Sequence, residues 1–376
     1  MYTAGVDVFE VYQVQGTVKF MKIAWIVNNI NQLGGIEKVV CGLSNVFSSH
    51  FGYSVKIISI NSFEDHLFFP LHESVHVRHC KLNWREETFG RLSKLIGDIL
   101  RNLDADVVLT CHPTISYATI LNKRKFRGKV VVTQHNTNDY FRKIKLWLNV
   151  LVYGFADKFV VLTQNDQTSY SRMGCKADVI PNACFNVVAE PSHRKNKQIL
   201  AVGRLEHIKG FDMLLDAFAM VVPNHPEWKL CICGGGTVQE ELRLQTERLN
   251  ISDKVIFPGP VKEMDTYYRN ASIFALSSRN EGFALVLIEA MSYGLPVVSF
   301  NIPSIQDIFG KEACLVASQG DVQTFAEYLN VLLSDEAMRT RLGQKAQELS
   351  KRYTPINVAK QWIKLFRDIG IDTEIT

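Results

Sequence analysis

Residues 277–291 read Ser-Ser-Arg-Asn-Glu-Gly-Phe-Ala-Leu-Val-Leu-Ile-Glu-Ala-Met, and this stretch decides the fold. The apolar run at 273–276 comes directly before it and is typical of a buried strand in a parallel sheet. The chain then turns at 280–282 and enters a helix that we expect to start near Phe283, and residues 296–300 supply the next strand. The sequence therefore predicts a strand, a turn and a helix whose N-terminus is open to a ligand.

Two carboxylates lie in this stretch, Glu281 in the turn and Glu289 about two helical turns later. The free N–H groups and the dipole at a helix N-terminus attract anions, so we expect phosphate groups nearby. A glutamate at the same place suits a neutral, hydroxyl-rich part of that ligand.

The composition sets limits on the class of protein. The chain has 376 residues, 47% of them hydrophobic, which favours two domains with sizeable cores. Its net charge is +4, and residues 1–190 hold 21 Lys and Arg against 16 Asp and Glu, so the first half is the basic one. This excess is too weak to indicate nucleic-acid binding, although it favours contact with an anionic membrane surface.

Eight cysteines are scattered along the chain. Cys231 and Cys233 lie two apart on an apparent buried strand, but no second pair at zinc-binding spacing accompanies them. Small buried residues in a reducing compartment explain them better than a metal site or a disulfide does. No run is apolar and long enough to span a bilayer, and residues 1–20 lack the pattern of a secretory signal.

The first half opens with a strand at 22–28, a loop that ends in Gly34-Gly35, a helix, and a strand at 55–60. Units of this kind bind ligands at the turn after the first strand. The G-x-G-x-x-G fingerprint is absent, so we do not expect a nicotinamide cofactor. Gly34 and Gly35 either form a tight turn alone or let the backbone approach a phosphate or sugar.

Two histidines follow strands later in this half. His135 comes after the strand at 129–133, and its position at the edge where such sheets bind ligands favours a functional role over a structural one. His112 follows the strand at 107–110, but the proline after it favours a role in a turn.

A second α/β series begins after the polar residues 191–197, which read as a linker. Glycine-rich loops at 203–210 and 234–236 follow its first two strands. The sequence thus predicts an α/β protein with two doubly wound, Rossmann-like domains that face a central cleft. We expect these divisions: a leader or start-site artefact at 1–20, the first domain at 21–190, the linker at 191–197, the second domain at 198–352 and a last helix within 353–376.

The loop at 203–210 carries two cations at a place where they could bind a diphosphate. Arg204 and Lys209 follow a strand on a glycine-bounded loop, which suits a diphosphate that leaves during a reaction. No Asp-x-Asp metal motif occupies a comparable position, so these cations would do the neutralising. Taken alone, the loop is equally well explained as an ordinary surface loop.

Together these motifs resemble the retaining glycosyltransferases of family 4, which have the two-domain GT-B fold. Glu281 and Glu289 match the E-x7-E motif of that family. The similarity is strong over about 198–300 and weaker from 21 to 190. The other residues that carry it are Gly34-Gly35, 202–205 with Lys209-Gly210, 234–236, 257–259, 277–283 and 289–298.

The resemblance implies a role for each matching side chain. Arg204 and Lys209 would hold the donor diphosphate and stabilise the leaving nucleoside diphosphate. Glu281 would contact the transferred sugar, and Glu289 would hydrogen-bond the ribose hydroxyls. His135 matches a position where the family often has a histidine near the sugar and the acceptor.

The resemblance also implies a set of backbone contacts to the donor. The N–H groups of Phe283, Ala284 and Leu285 would lie near the sugar, and Gly35, beside Gly34, would approach the diphosphate across the cleft. Gly234 would contribute to the same donor site, and the segment around Val261 would border the base. We further expect the last helix to cross back to the first domain.

The expected activity is transfer of a hexosyl-type sugar from a nucleotide-sugar, which we expect to be a UDP-sugar, with retained configuration. Neither a cofactor nor a metal ion is expected. The expected acceptor is a hydroxyl group, such as that of a lipid-linked glycan in surface polysaccharide or lipopolysaccharide synthesis. The alternatives are a nucleotide-sugar epimerase of the same fold and a non-catalytic sugar-nucleotide-binding subunit.

One segment departs from the family pattern. Many relatives have Gly-Pro-x-Glu-Ile-Ile after the strand at 296–300, whereas this chain reads Pro-Ser-Ile-Gln-Asp-Ile at 303–308. Asp307 is the candidate for the acidic position.

The basic stretches 123–129 and 142–148 alternate with apolar residues. They form either a solvated face over a core or a surface that meets anionic lipid headgroups. The second explanation predicts a cytoplasmic protein with peripheral contact at the inner face of the membrane. Its expected partners are then the nucleotide-sugar, the glycan or lipid-linked acceptor and that membrane, and not a nucleic acid.

Overall fold

The structure, a computed structural model, describes residues 20–63, 66–83, 88–135, 143–186, 188, 190–309 and 313–373. The strands are β1 (Lys22–Val27), β2 (Ser54–Ser59), β3 (Val75–His79), β4 (Val107–Thr110), β5 (Lys129–Gln134), β6 (Lys158–Val161), β7 (Asp178–Val179), β8 (Gln198–Val202), β9 (Lys229–Cys233), β10 (Val255–Gly259), β11 (Ile273–Leu276), β12 (Val297–Phe300) and β13 (Cys314–Ala317).

The helices alternate with these strands. They are α1 (Gly35–Ser49), α2 (Phe89–Asn102), α3 (Pro113–Leu121), α4 (Lys143–Tyr153), α5 (Gln164–Arg172), α6 (Phe211–Val221), α7 (Gln239–Arg248), α8 (Asp265–Asn270), α9 (Leu285–Ser292), α10 (Pro303–Phe309), α11 (Val322–Ser334), α12 (Glu336–Ser350) and α13 (Pro355–Asp368).

The strands form two parallel sheets, as the sequence predicted. The first has seven strands in the order β3-β2-β1-β4-β5-β6-β7, and the second has six in the order β10-β9-β8-β11-β12-β13. In both sheets the order reverses at one place, between β1 and β4 and between β8 and β11. The helices before and after such a reversal pack on opposite faces of the sheet, which leaves a crevice at the carboxyl ends of the strands. The loops after β8 and β11 therefore meet.

Hydrophobic cores lie on both faces of the two sheets. The central strands β4, β11 and β12 are buried at every residue, which explains their uninterrupted apolar sequences. β3 lies at an edge of the first sheet, and its residues alternate between buried and exposed. β3 was not predicted, because an edge strand needs no continuous apolar run.

The turn predicted at His112 is wrong, because a helix begins there. His112 takes the N-cap position of α3, and Pro113 begins that helix. Proline suits a first helical position because its missing N–H would have no partner there and its φ angle is already close to helical. The proline that indicated a turn therefore starts a helix.

The last helix, α13, crosses back to the first domain, as expected. Trp362 of α13 packs edge-on against Trp25 of β1 with 6.4 Å between ring centroids, and Phe366 packs against Phe47 of α1. The chain thus passes between the domains twice, and the two crossings touch, because the N–H of Cys184 donates to the carbonyl of Tyr353 at 2.8 Å.

Replacing Trp362 by alanine tests how much this return helix contributes. The side chain is 4% exposed and sits between Trp25 and Phe366, so Trp362→Ala leaves a cavity and is expected to cost about 3–5 kcal/mol of unfolding free energy. Urea unfolding followed by circular dichroism measures this loss. Ile356→Ala is the matched control on the same helix, since its side chain is 38% exposed and its loss should stay below about 1 kcal/mol. Equal midpoints for the two variants would contradict this account of α13.

Candidate active site at the strand ends of the second sheet

An enclosed ion pair joins the loops after β8 and β11. Lys209 Nζ lies 2.5 Å from Glu281 Oε1, and both side chains are largely buried. The hydroxyl of Ser278 donates to the same carboxylate oxygen at 2.7 Å. The structure therefore brings together two of the predicted catalytic residues at the reversal of strand order.

The backbone holds these two loops at close range. The hydroxyl of Ser277 donates to the carbonyl oxygen of Lys209 at 3.0 Å. Gly210 has φ +64°, and a Cβ atom there would lie 2.1 Å from the carbonyl oxygen of Ser277. Only glycine fits this position, so the glycine at the end of the loop serves close packing between the loops.

Arg279 ties the same loops together from the outside, and the sequence analysis assigned it no role. Its guanidinium forms two hydrogen bonds with the carboxylate of Asp212, at 2.8 and 2.6 Å, and a third with the carbonyl of His207. The bidentate pair lowers the pKa of Asp212 against the opposing effect of burial, and it raises the pKa of Arg279.

Arg204 does not contact Glu281 in this structure. Its side chain is 71% exposed and pairs at 2.7 Å with Glu206 of the same loop. The predicted pair of cations is therefore separated here into an enclosed Lys209 and an exposed Arg204.

Gly234 supports the loop after β8. It has φ +147°, and a Cβ atom there would lie 1.8 Å from the carbonyl oxygen of Gly203. Its N–H donates to the carbonyl of Gly259 at 2.9 Å. These contacts give Gly234 a packing role, and its predicted contact with a donor stays a prediction. Val261 is half-buried next to the core of this domain, beyond β10.

The helix after the Glu281 turn starts later than the sequence indicated. α9 begins at Leu285, with Ala284 at the N-cap, and no side chain caps it. Phe283 and Ala284 are buried ahead of the helix. An uncapped first turn leaves N–H groups for a ligand. Across the cleft, a Cβ on Gly35 would lie 3.1 Å from Leu285 Cδ1, so the structure brings together these two predicted donor contacts.

Glu289 lies on the second turn of α9 and is only 5% exposed. The Tyr268 hydroxyl donates to its Oε2 at 2.8 Å, and Lys38 of α1 contacts its Oε1. Burial and the neighbouring carboxylate raise the pKa of Tyr268 well above its usual range, so this hydroxyl keeps its proton and remains a donor. Glu289 was predicted from its motif, whereas neither Tyr268 nor Lys38 was predicted as its partner.

His135 is half-buried at the end of β5, where the sequence placed it. Burial lowers its pKa to about 4, so the ring is neutral near pH 7. Its Nε2 lies 3.0 Å from Thr133 Oγ1, and that hydroxyl donates to the carbonyl of Thr110 at 3.2 Å. The neutral ring has one N–H donor and one acceptor nitrogen, and Thr133 Oγ1 can pair with Nε2 in either role.

Asp307 has a structural partner in the first domain. Its Oδ2 accepts from the backbone N–H of Gln164 at 2.6 Å and from that of Asn165 at 3.4 Å, at the N-terminus of α5. A carboxylate is favourable there because the helix dipole is positive at that end. The segment that departs from the family pattern therefore joins the two domains.

Within the described residues, no helix is long and apolar enough to cross a membrane. No cluster of three or more His, Cys, Asp and Glu residues suited to a metal ion occurs in the same part of the chain. Both observations leave the expected metal independence and membrane contact as predictions.

Two family models together match most of the chain. The model described as "Glycosyltransferase Family 4" matches residues 33–184, and the model described as "Glycosyl transferases group 1" matches residues 186–349.

Similar proteins match this chain along nearly their whole length. The amylovoran biosynthesis glycosyltransferase AmsD of Erwinia amylovora is 29% identical over 352 residues, which cover 91% of this chain and 98% of that protein. The "GalNAc-alpha-(1->4)-GalNAc-alpha-(1->3)-diNAcBac-PP-undecaprenol alpha-1,4-N-acetyl-D-galactosaminyltransferase" of Campylobacter jejuni is 27% identical, with 93% of this chain and 99% of that protein covered.

Among solved structures, HepE of Anabaena in complex with UDP and glucose superposes with a TM-score of 0.76 over 93% of this chain and 100% of that one. Its sequence identity is 19%, so this similarity bears on the fold alone. It confirms the predicted arrangement of two doubly wound domains.

The lowered pKa of His135 predicts that the folded protein loses stability as the pH falls. From about pH 6.5 down to about pH 4 the unfolded chain takes up a proton at this histidine and the folded chain does not. Wild type should therefore lose stability as the pH falls through this window, by about 1–2 kcal/mol more between pH 7 and 5 than His135→Asn does. Urea unfolding of both proteins at several pH values measures the difference. If the unfolding free energies of wild type and His135→Asn changed with pH in parallel, the lowered pKa of His135 would be contradicted.

Proposed function

We propose, from the premise that this chain carries both domains of a family-4 glycosyltransferase, that it moves a hexosyl-type sugar from a UDP-sugar to a hydroxyl acceptor with retained configuration. The observation that carries this proposal is the enclosed ion pair of Lys209 and Glu281 where the strand order of the second sheet reverses. In a site that excludes water, fixed charges stabilise developing charge more strongly than they would in solution.

Lys209 and the start of α9 suit the leaving group. When the bond from the anomeric carbon to the diphosphate breaks, the electron pair stays on the diphosphate, and negative charge grows there. A lysine ammonium and an uncapped helix N-terminus both favour that charge. Arg204 joins them when it turns from Glu206, which costs little because an exposed ion pair contributes only about 0–1 kcal/mol.

Glu281 and His135 suit the hydroxyl groups of the reactants. Glu281 keeps further lone pairs beside those used by Lys209 and Ser278, so it can accept a hydrogen bond from the transferred sugar. His135 presents a neutral imidazole at the strand edge of the opposite domain, which suits a hydroxyl of the sugar or of the acceptor. Neither side chain is assigned as a nucleophile.

The acceptor that we propose is a lipid-linked glycan at the inner membrane surface. The name of the Campylobacter relative includes an undecaprenol-linked acceptor, and the Erwinia relative acts in the biosynthesis of amylovoran. In this chain the first domain presents a band of apolar side chains beside basic residues. We call it the α4 stripe, and it consists of Trp147, Leu148, Leu151 and Phe155.

Charge complementarity favours an anionic membrane as the partner of the α4 stripe. Trp147 is 60% exposed and Phe155 is 72% exposed, with the exposed Leu151 between them in sequence, which is unusual for a group of large apolar side chains. Lys123 Nζ donates to the carbonyl of Phe155 at 3.1 Å and also pairs with Asp157 at 2.9 Å, so the basic stretch at 123–129 begins beside the stripe. Aromatic side chains with flanking cations are typical of surfaces that enter the headgroup region.

The catalytic assignment predicts large losses of turnover. Glu281→Ala and Lys209→Ala should each lower kcat at least about a hundredfold, because each removes a charge contact that strengthens in the transition state. Lys364→Ala, which removes an exposed cation on α13, is the control that should keep wild-type turnover. Near-normal turnover in either site variant would refute the assigned roles.

The assay for these variants begins with a panel of nucleotide-sugars and an acceptor mixture, in buffer with a metal chelator. We expect a UDP-sugar to be consumed and the product to keep the anomeric configuration of the donor, as read by NMR. Consumption only after addition of a divalent metal would contradict the metal-independent mechanism. A new epimer formed without acceptor would indicate the epimerase instead.

Vesicle flotation tests the α4 stripe. Wild type should bind vesicles rich in phosphatidylglycerol at low salt, and binding should weaken as salt rises. The triple variant Trp147→Ser, Leu151→Ser, Phe155→Ser should lower the bound fraction at least about tenfold through lost apolar burial. The matched control changes three exposed apolar residues of the second domain, namely Met220→Ser, Leu244→Ser and Val331→Ser, and should bind like wild type. Equal binding by both variants, or no binding by wild type, would rule out this surface.

A further inference from the structure

A cation of the first domain reaches into the donor side of the cleft. Lys38 lies on the first turns of α1, three residues after Gly35, and its ammonium contacts Glu289 Oε1 of the second domain. The same ammonium donates to Asn186 Oδ1 at 3.1 Å, in the segment that connects the domains. Its side chain is 24% exposed, whereas that of Glu289 is 6% exposed.

This contact is too enclosed to be an ordinary surface ion pair. A carboxylate removed from water loses several kcal/mol of solvation, and a close cation with further hydrogen bonds is required to offset that loss. Lys38 is the cation that pairs with Glu289 among the described residues, and Tyr268 adds the second hydrogen bond. Tyr268 is itself fixed by stacking on Tyr293, with 5.1 Å between ring centroids.

The helix face that carries Lys38 is shaped for close approach. Gly35 and Gly42 lie on that face, three residues before Lys38 and four after it. A Cβ on Gly42 would lie 2.4 Å from the ring of Phe185, and a Cβ on Gly35 would lie 3.1 Å from Leu285. The two glycines thus let α1 pack directly on the second domain and on the connecting segment, with Lys38 held between the two contacts.

We infer that Lys38 is a positioning residue of the donor site, which holds the Glu289 carboxylate for the hydroxyl groups of the donor ribose. This inference rests on the proposed function, which gives Glu289 the ribose as its ligand. It goes further by making that contact depend on a residue of the opposite domain. Donor binding and the packing of α1 on α9 are then coupled through one carboxylate.

The hydrogen-bonding capacity of the carboxylate agrees with this role. An ionised carboxylate can accept about four hydrogen bonds, two on each oxygen. Lys38 occupies one position on Oε1, and Tyr268 occupies one on Oε2. Counting partners among the described residues, one position remains on each oxygen, and a ribose offers two neighbouring hydroxyls. Lys38 and Tyr268 therefore fix the orientation of the carboxylate and leave acceptor positions for the ligand.

The test compares two ligands that differ only in the ribose hydroxyls. UDP and 2′,3′-dideoxyUDP are titrated calorimetrically into wild type, Lys38→Met, Lys38→Arg and Glu289→Ala, each as the full chain. Lys38→Met should weaken UDP binding about tenfold, whereas Lys38→Arg should stay within about threefold of wild type. DideoxyUDP should bind all four proteins within about twofold of one another. A fifth protein, the double variant Lys38→Met, Glu289→Ala, should bind UDP as Glu289→Ala alone does.

Three results would overturn the inference. Unchanged UDP affinity in Lys38→Met would show that the lysine does not act on the ribose contact. Tighter binding would show that Lys38 competes with the donor for Glu289. An equal loss for UDP and dideoxyUDP would reveal a structural role only. Failure of the proposed function looks different, because wild type itself would then bind none of UDP, GDP, CDP and ADP.

Discussion

The reversal of strand order in each sheet is the constraint on which the rest of the structure depends. Between β8 and β11 the chain changes the direction in which it adds strands, so the loops after these two strands have no helix between them. The loop 203–210 and the turn 277–284 must therefore share one crevice. Glycines at 210 and 234 allow contacts that any Cβ would obstruct. Lys209 and Glu281 meet as a consequence of topology, although they are 72 residues apart in sequence.

The sequence predicts elements well where burial is complete and poorly where it is partial. The bounds of β4 and β11 agree with the predicted strands to the residue, because strands inside a parallel sheet are buried on both faces. β3 was not predicted because it is a half-polar edge strand. The start of α3 was predicted as a turn because proline is common both in turns and at the first position of a helix. The late start of α9 has a similar origin, since an apolar sequence does not reveal where the backbone first becomes helical.

For the candidate site, the residue types were predictable and their partners were not. Glycines and cations after buried strands indicated Lys209 and Glu281, but the contact of Lys38 with Glu289 spans 251 positions, and no periodicity encodes it. Asp307 was noticed only as a departure from a pattern, while the structure shows its carboxylate at the start of α5. Such contacts arise from how two finished domains pack, which is information that a local pattern does not contain.

The two crossings between the domains limit how the domains can move. Cys184 and Tyr353 lie on different crossings and are joined by a backbone hydrogen bond, so both connections pass through nearly the same point. The two connections between the domains lie side by side. They keep the two domains joined at this place and limit how far one domain can slide past the other. An opening of the cleft would therefore separate the surfaces of α1 and α9 by rotation about this place.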